Sequence, residues 1–236
     1  MGHHQNGDLF KAEKLYKKVL QKDPAQPDAL NLLGVIYDQK GDLKNSLKWF
    51  DKAINAAPKL ASIYFNKGNV LKKMNHPKQA QIAYEAAIQY EPSFQDAFLN
   101  LGVLLQEQEQ ITKALEYFHK LIKMAPRNAK AHYNLGKCYQ ISNKFEDAKK
   151  ALSQSLKLNA KDADSHFAIA NVYSSQHSYT KAIQHVKKAL AIKPNWAEAY
   201  STLGLNLANE GEFEGAVTQC KNAIKIDPEN GGFYLN

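Results

Sequence analysis

Residue types that support secretory or membrane-bound roles are scarce in this 236-residue chain. It has two cysteines, Cys138 and Cys220. Because two isolated cysteines do not form a disulfide framework, we expect both to be small buried apolar residues. No apolar run approaches the roughly 18 residues of a membrane-spanning helix, and the first residues lack the apolar stretch of a signal peptide. These absences favour a cytoplasmic protein.

The sequence also lacks the motifs of common catalytic and cofactor sites. It contains no phosphate-binding glycine loop, no Gly-x-Ser-x-Gly, no His-Glu-x-x-His and no Cys-x-x-Cys. We therefore expect no catalytic residue, no cofactor and no metal site, and we interpret the chain as a non-enzymatic protein.

Arginine is almost absent, so lysine supplies the positive charge. Arg127 is the only arginine among 31 Lys and Arg residues, which exceed the 23 Asp and Glu residues and give a net charge of +8. A basic balance is compatible with nucleic acid or with an acidic partner. Lysines spread over outward helix faces are usually a solvated surface, and we favour that interpretation.

A period of 34 residues is the dominant feature that the chain does have. Six of the eight prolines follow it: Pro24, Pro58, Pro92, Pro126, Pro194 and Pro228. Glycines keep the same interval at Gly34, Gly68, Gly102, Gly136 and Gly204, with Ala170 in the remaining place. A fixed period between about 20 and 50 residues predicts a stacked repeat protein.

Each period predicts two helices joined by a tight turn. Apolar residues recur at helical spacing in both halves of 61–94. Between the halves lies a turn column: Gly7, Gly41, Asn75, Glu109, Asn143, His177 and Gly211. Gly and Asn tolerate the left-handed conformation that ends helices. Glu109 is the clear exception, so we expect its turn to be strained or built differently.

This pattern resembles the tetratricopeptide repeat family, whose signature places aromatic, Leu-Gly, Ala and Pro residues at fixed intervals. Segment 95–128 supplies them as Phe98, Leu101, Gly102, Ala114, Phe118 and Pro126. Local departures are Lys67, where Leu is usual, and His132 and His166, where an aromatic residue is usual. The resemblance implies an all-α fold, an α-solenoid of tandem helix-turn-helix units in a right-handed superhelix.

In that register the chain divides into six whole repeats with partial repeats at both ends. The whole repeats are 27–60, 61–94, 95–128, 129–162, 163–196 and 197–230. Residues 1–26 would hold only a second helix, at about 8–24, and residues 231–236 would begin a further repeat. Because neither end resembles a polar cap, we expect a segment of a larger protein or self-association through the ends.

The resemblance also implies a concave groove lined by the first helix of each repeat. Asn66, Asn100 and Asn134 share one groove position in consecutive repeats, and Asn236 begins the same column again. Primary amides both donate and accept, so such a column can hold the backbone of an extended peptide. The column is similar to the asparagine ladder in the repeat arm of protein O-linked N-acetylglucosamine transferases. The alternative is that Asn before Leu-Gly is simply frequent in the family.

Further groove positions carry polar, basic and aromatic residues. The polar and basic ones are Asn69, Asn171, Lys130 and Lys137. The aromatic ones are Phe65, Tyr133 and Phe167, which could form pockets for ligand side chains or could pack against the neighbouring first helix.

Two other sites that the family or the residue types suggest are weakly supported. The carboxylate clamp that holds chaperone C-terminal tails is matched by Asn69, Asn100 and Lys130, but Phe65 and Asn134 stand where cations are wanted. His132 and His166 occupy equivalent places in adjacent repeats and could approach each other. No third metal ligand is evident nearby, so we interpret both as core residues.

The leading functional hypothesis is a scaffold that binds a peptide segment of a partner protein in the concave groove. We expect this scaffold to bind neither a membrane nor a specific nucleic acid. The alternative is the substrate-recruiting arm of a larger multidomain enzyme, such as a protein glycosyltransferase. Single-stranded RNA binding is disfavoured because the groove positions carry a slight excess of acidic residues.

Overall fold

A computed structural model describes residues 9–230 and 232 of the chain. Within these residues all regular structure is helical, with thirteen α-helices and no strand. They separate into two compact units, Met1–Gln110 and Ile111–Asn236. The partial repeat predicted to begin at 231, and with it Asn236, lies outside the described residues apart from residue 232.

Unit 1 contains six helices in which each helix packs against the next. They are α1 (Leu9–Lys22), α2 (Pro27–Gln39), α3 (Leu43–Ala56), α4 (Ala61–Lys73), α5 (Pro77–Tyr90) and α6 (Gln95–Glu107). The first helices α2 and α4 also touch each other directly. Unit 1 is therefore a layered stack in which successive first helices are neighbours.

Unit 2 repeats this arrangement with seven helices. They are α7 (Ile111–Met124), α8 (Ala129–Ile141), α9 (Phe145–Leu158), α10 (Ala163–Ser175), α11 (Tyr179–Ile192), α12 (Ala197–Asn209) and α13 (Phe213–Ile226). Consecutive helices pack together, and the first helices α8 and α10 are in contact. The all-α repeat solenoid predicted from the sequence is confirmed.

Four glycines of the column, Gly34, Gly68, Gly136 and Gly204, each receive a side chain of the following helix. A Cβ built on Gly68 would lie 2.7 Å from ring carbons of Tyr84, and one built on Gly136 would lie 2.5 Å from Cγ of Leu152. Cys220 fills the same role over Gly204, with its Sγ 2.8 Å from such a Cβ. Because a glycine leaves this space open, each helix pair can approach closely around a fully packed contact.

The turn column adopts the predicted left-handed conformation at its described positions, and Gly7 lies outside the described residues. Asn75, Asn143 and His177 have φ angles of 58°, 56° and 55°, and Gly41 and Gly211 also have positive φ. Glu109 has φ 60°, and its amide donates to the carbonyl of Gln106 just as the amide of Asn75 donates to Lys72. The expectation that this turn would be built differently is wrong, since its φ angle and its backbone hydrogen bond match those of the turn at Asn75. The alternative expectation, a strained turn, fits this non-glycine positive φ.

Both cysteines are buried and neither forms a disulfide, as expected. Burial raises the pKa of the Cys138 thiol to about 11, so this thiol stays protonated at neutral pH. Across the described helices, none is long and apolar enough to cross a membrane.

Candidate functional site

Side-chain amides link the successive first helices of unit 1. Asn66 Nδ2 donates to Asn31 Oδ1 at 3.1 Å, which joins α4 to α2. Asn100 Nδ2 donates to Asn69 Oδ1 at 2.9 Å, which joins α6 to α4. We call Asn31, Asn66, Asn69 and Asn100 the amide row. All four are half-buried, so the row is a surface feature held in place by its own hydrogen bonds.

Tyr84 fixes the orientation of one amide in this row. The ring of Tyr84 is fully buried, and its hydroxyl donates to Asn69 Oδ1 at 2.8 Å. Burial raises the pKa of Tyr84 to about 12, so the hydroxyl keeps its proton. Asn69 Oδ1 thus accepts from both Tyr84 and Asn100, which occupies both lone pairs and turns its NH₂ group away from these donors.

The hydrogen bonds in the amide row leave a set of unpaired donors and acceptors. Within residues 9–230 and 232, Oδ1 of Asn66 and Oδ1 of Asn100 have no hydrogen-bond donor, and Nδ2 of Asn31 and Nδ2 of Asn69 have no acceptor. A peptide backbone presents N–H donors and C=O acceptors in alternation. The row therefore offers complementary groups of both kinds along adjacent helices.

Two ion pairs join charged residues of the same helices. Lys73 Nζ lies 2.7 Å from Asp38 Oδ1, and Lys72 Nζ lies 2.8 Å from Glu107 Oε1. Both pairs join neighbouring first helices, as the amides do. Lys72, Lys73, Asp38 and Glu107 are therefore paired with one another, whereas Asp28 and Asp96 on the same helices take no part in these ion pairs.

In unit 2 three of the predicted groove residues lie together. Lys130, Tyr133 and Asn134 line a cavity of about 300 Å³, which also includes the carboxylates of Asp162 and Asp164. Burial, followed by these carboxylates, raises the pKa of Tyr133 to about 12. The phenol is therefore neutral at any physiological pH and can act as a hydrogen-bond donor.

The remaining polar groove residues of unit 2 do not continue the amide row. Asn134 Nδ2 turns back onto its own helix and donates to the carbonyl of Lys130 at 2.9 Å. Lys137 Nζ lies 5.6 Å from the centroid of the Tyr133 ring, within reach of a cation–π contact. Asn171 is half-buried, and its backbone carbonyl accepts from the Ser175 hydroxyl. In the described part of the chain, hydrogen bonds between two asparagine amides of neighbouring first helices therefore occur in unit 1.

Two of the predicted aromatic residues pack inside their own units. The ring of Phe65 lies 4.9 Å from that of Phe94 and 6.0 Å from that of Tyr84. Phe167 is 8% exposed, and its ring centroid is 4.6 Å from that of Trp196. These contacts favour the packing interpretation for both rings over the interpretation as open ligand pockets.

Models of one family match most of the chain. Models described as "Tetratricopeptide repeat" match residues 4–61, 61–94, 105–172, 163–195 and 197–230. The chain belongs to the tetratricopeptide repeat family. No curated protein matches this repeat protein significantly along its sequence.

Solved structures with the same fold include complexes and single repeat proteins. A chain of the APC/C hetero-tetramer Cut9–Hcn1 is 17% identical with a TM-score of 0.78, over 98% of this chain and 46% of that chain. MamA is 26% identical with a TM-score of 0.62, over 69% of this chain and 95% of that one. YrrB, described as a TPR protein with an unusual peptide-binding site, is 21% identical with a TM-score of 0.66, over 78% and 95%.

These solved structures resemble this repeat protein mainly in fold. The chain spans about half the length of the Cut9–Hcn1 chain that it matches. The identities to Cut9–Hcn1 and YrrB fall under 25%, so these two likenesses show the fold alone. The similarity to O-linked N-acetylglucosamine transferases that the asparagine column suggested gains no support from the comparisons.

The predicted histidine pair has different partners in this repeat protein. His132 Nε2 lies 2.9 Å from the carbonyl oxygen of Pro126, and His166 Nδ1 lies 3.3 Å from Nδ1 of His185. Burial, together with the neighbouring His166 and Lys188, lowers the pKa of His185 to about 4. In the described part of the chain, no group of three or more His, Cys, Asp or Glu residues could hold a metal ion.

Two asparagines that matter in the structure escaped the groove prediction. Asn31 lies one register place before the asparagine column, so its pairing with Asn66 could not be found by reading that column alone. Asn206 is 1% exposed, accepts from Ser174 Oγ at 2.6 Å and donates to the carbonyl of Thr202 at 2.7 Å. The sequence alone could have shown that Asn206 is unusual, because the residues at the same register position in the other repeats are apolar. They are Ile36, Val70, Leu104, Cys138 and Val172.

Proposed function

We propose that this tetratricopeptide repeat protein is an interaction scaffold that binds an extended peptide segment of a partner protein on the amide row of unit 1. The observation that carries the proposal is the orientation of the four amides by Tyr84 and by each other. Fixed amides lose little conformational entropy when a ligand binds, so each free donor or acceptor contributes more of its hydrogen-bond energy.

The recognition would be directed at the peptide backbone rather than at side chains. The unpaired groups belong to three neighbouring helices, and both donors and acceptors are present. The neutralising pairs Lys73–Asp38 and Lys72–Glu107 add no net charge that would select for an acidic or a basic ligand here. The description of YrrB as having a peptide-binding site supports this role by analogy of fold.

The enzyme-arm alternative would use the same face. A repeat fold of this kind ordinarily serves as a non-catalytic scaffold. A catalytic domain encoded in the same gene would favour the enzyme-arm alternative. The proposed cytoplasmic setting and self-association through the terminal repeats stay predictions.

Peptide selection with a matched variant tests the proposal. A phage-displayed library of random dodecapeptides is selected on the wild-type protein and counter-selected on an Asn66→Ala, Asn100→Ala double variant. The control is Asn55→Ala, which removes an exposed amide from α3. We expect surviving peptides to bind the double variant roughly tenfold or more weakly and the control variant unchanged.

A chemical change in the peptide separates backbone from side-chain recognition. N-methylation of single amides in a selected peptide should weaken binding, whereas alanine substitution at most of its positions should not. Equal affinity for wild type and the double variant would remove the amide row as the binding surface.

A further inference from the structure

One core position of the repeat carries a lysine in unit 1. The residues that stand 34 apart from it are buried and aliphatic: Leu33, Leu101, Leu135, Ile169 and Leu203, none more than 6% exposed. In the second repeat this place is taken by Lys67, whose side chain is 28% exposed. Its ammonium reaches outward and lies 2.7 Å from Asp51 Oδ1. The aliphatic volume that the other repeats place here is therefore missing.

At a second position of the same repeat, an apolar residue stands on the surface where the other repeats carry polar or charged residues. The residues 34 apart from Ile82 are polar or charged: Lys48, Glu116, Lys150, Gln184 and Thr218. Ile82 itself is 66% exposed on helix α5. A polar residue has moved into a core place and an apolar residue has moved onto the surface, both within segment 61–94.

Both exchanged residues line one cavity. It has a volume of about 430 Å³ and lies between α3, α4 and α5. Lys67, Asp51 and Ile82 contribute to its wall together with the apolar side chains of Leu47 and Leu71. Small-ligand and side-chain pockets commonly have volumes of about 300–1,000 Å³, so this cavity can take one bulky side chain. No residue of the amide row lines it.

The helices beside the cavity carry more positive than negative charge, which favours an acidic ligand. Helices α3 and α5, which form its two sides, carry four lysines and two acidic residues. The lysines are Lys44, Lys48, Lys52 and Lys78, which lie on these helices outside the cavity wall. The acids are Asp51, which Lys67 already pairs, and Glu85. An excess of positive charge beside an apolar pocket is complementary to an acidic segment.

We propose that this cavity, the Lys67 pocket, is a second docking site that receives one bulky apolar side chain from an acidic peptide segment of a partner protein. The partner's side chain would fill the space that Leu33 or Leu101 fills in other repeats. Binding would also cover Ile82, and Asp or Glu residues flanking the anchor would face the surrounding lysines. The site is separate from the amide row, so it does not depend on the function proposed above.

The repeat itself supplies the variants that test the pocket. Lys67→Leu installs the side chain that the register carries elsewhere and should close the cavity without harming the fold. Ile82→Lys installs the residue found at Lys48 and Lys150 and removes the exposed apolar contact. The random dodecapeptide library is selected on wild-type protein and counter-selected on Lys67→Leu, and surviving peptides are measured by fluorescence anisotropy.

We expect the surviving peptides to share one large apolar residue next to Asp or Glu. Replacement of that residue with alanine should weaken binding about tenfold or more, as is typical of an anchor in a pocket. Both Lys67→Leu and Ile82→Lys should weaken binding to a similar degree, and Asn66→Ala, Asn100→Ala should leave it unchanged.

Several outcomes would overturn the proposal. These are the absence of any surviving peptide, survivors without an apolar anchor or with basic flanks, and equal affinity for the Ile82→Lys variant. Sedimentation of the wild type as a dimer and of Ile82→Lys as a monomer would assign the pocket to a second copy of this chain and would equally contradict a peptide partner. If no peptide binds the amide row, the measurements on the Lys67 pocket still test this proposal.

Discussion

The ring of Tyr84 lies directly over the backbone of Gly68, where a Cβ would come within 2.7 Å of both Cδ1 and Cε1. The same ring is fully buried, and its hydroxyl donates to Asn69, the residue after this glycine. One aromatic side chain therefore sets the approach of α5 to α4 and the orientation of an amide in the proposed binding surface. Packing and the candidate site are coupled at this point.

Gly68→Ala should destabilise the protein. Overpacking a well-filled contact costs about 1–3 kcal/mol, whereas alanine in a helix interior gains at most about 1 kcal/mol over glycine. The packing cost should prevail, because the rigid ring of Tyr84 cannot move aside without losing its hydrogen bond to Asn69. Urea unfolding followed by circular dichroism should show a lower midpoint than in the wild type.

Gly215→Ala is the matched control for this substitution. A Cβ on Gly215 would meet Leu207 Cδ1 at 3.6 Å, an ordinary van der Waals distance, and the residue lies inside α13. Only the helix-propensity gain applies, so we expect the midpoint to stay or rise. A lower midpoint for Gly215→Ala than for Gly68→Ala would contradict the packing explanation.

The left-handed turn at Glu109 predicts a stabilising substitution. An L-residue with a side chain pays roughly 1–2 kcal/mol in this conformation, whereas glycine pays mainly an entropic cost of up to about 1 kcal/mol. Glu109→Gly should therefore raise the melting temperature modestly. Gly41→Ala is the reciprocal change at φ 77°, where a Cβ would contact nothing within 4 Å, so its destabilisation should report backbone strain alone.

The helices and turns could be predicted from the sequence because their signals are local. Proline ends a helix and glycine permits a turn regardless of distant neighbours, so the period alone placed the turns at Asn75 and Asn143. Glu109 shows the limit of this reasoning. The conformational preference of glutamate argues against a left-handed turn, yet Glu109 adopts it with φ 60° and the same backbone hydrogen bond as Asn75.

The candidate site was less predictable because its contacts join different register positions. Asn66 pairs with Asn31, and Asn100 pairs with Asn69, although neither pair shares a column. Such pairing depends on the lateral offset between neighbouring first helices, which a 34-residue period does not reveal. His185 was missed as the partner of His166 because it lies on the second helix of the same repeat, at a different register position.

Glu13 predicts an acid-dependent loss of stability. Hydrogen bonds from Lys17 and Lys40, with a further one from Tyr37, lower the pKa of Glu13 from 4.5 to about 2. Because the folded pKa is below the unfolded one, the stabilisation is present above about pH 4.5 and is lost as the pH falls toward about 2. The free energy of unfolding of the wild type should therefore exceed that of Glu13→Gln at neutral pH, and the difference should shrink in acid.

The control for this pH dependence is Glu116→Gln, which changes an exposed glutamate on α7. The free energy of unfolding of Glu116→Gln should differ little from that of the wild type, both at neutral pH and in acid. A wild-type advantage over Glu13→Gln that stays constant down to about pH 2 would show that the carboxylate does not contribute through its ionised form.

The buried Asn206 and the half-buried Ser174 form a polar pair whose energy can be separated from that of either residue. Asn206→Ala should cost about 1–3 kcal/mol, since it leaves the Ser174 hydroxyl without its acceptor. The double variant Asn206→Val, Ser174→Ala removes both partners, and valine is the residue that the register carries at Val70 and Val172. We therefore expect the double variant to be more stable than Asn206→Ala in urea unfolding. A double variant that loses as much as the sum of the single changes would mean that the two side chains act independently, and the buried asparagine would then owe its place to the carbonyl of Thr202 alone.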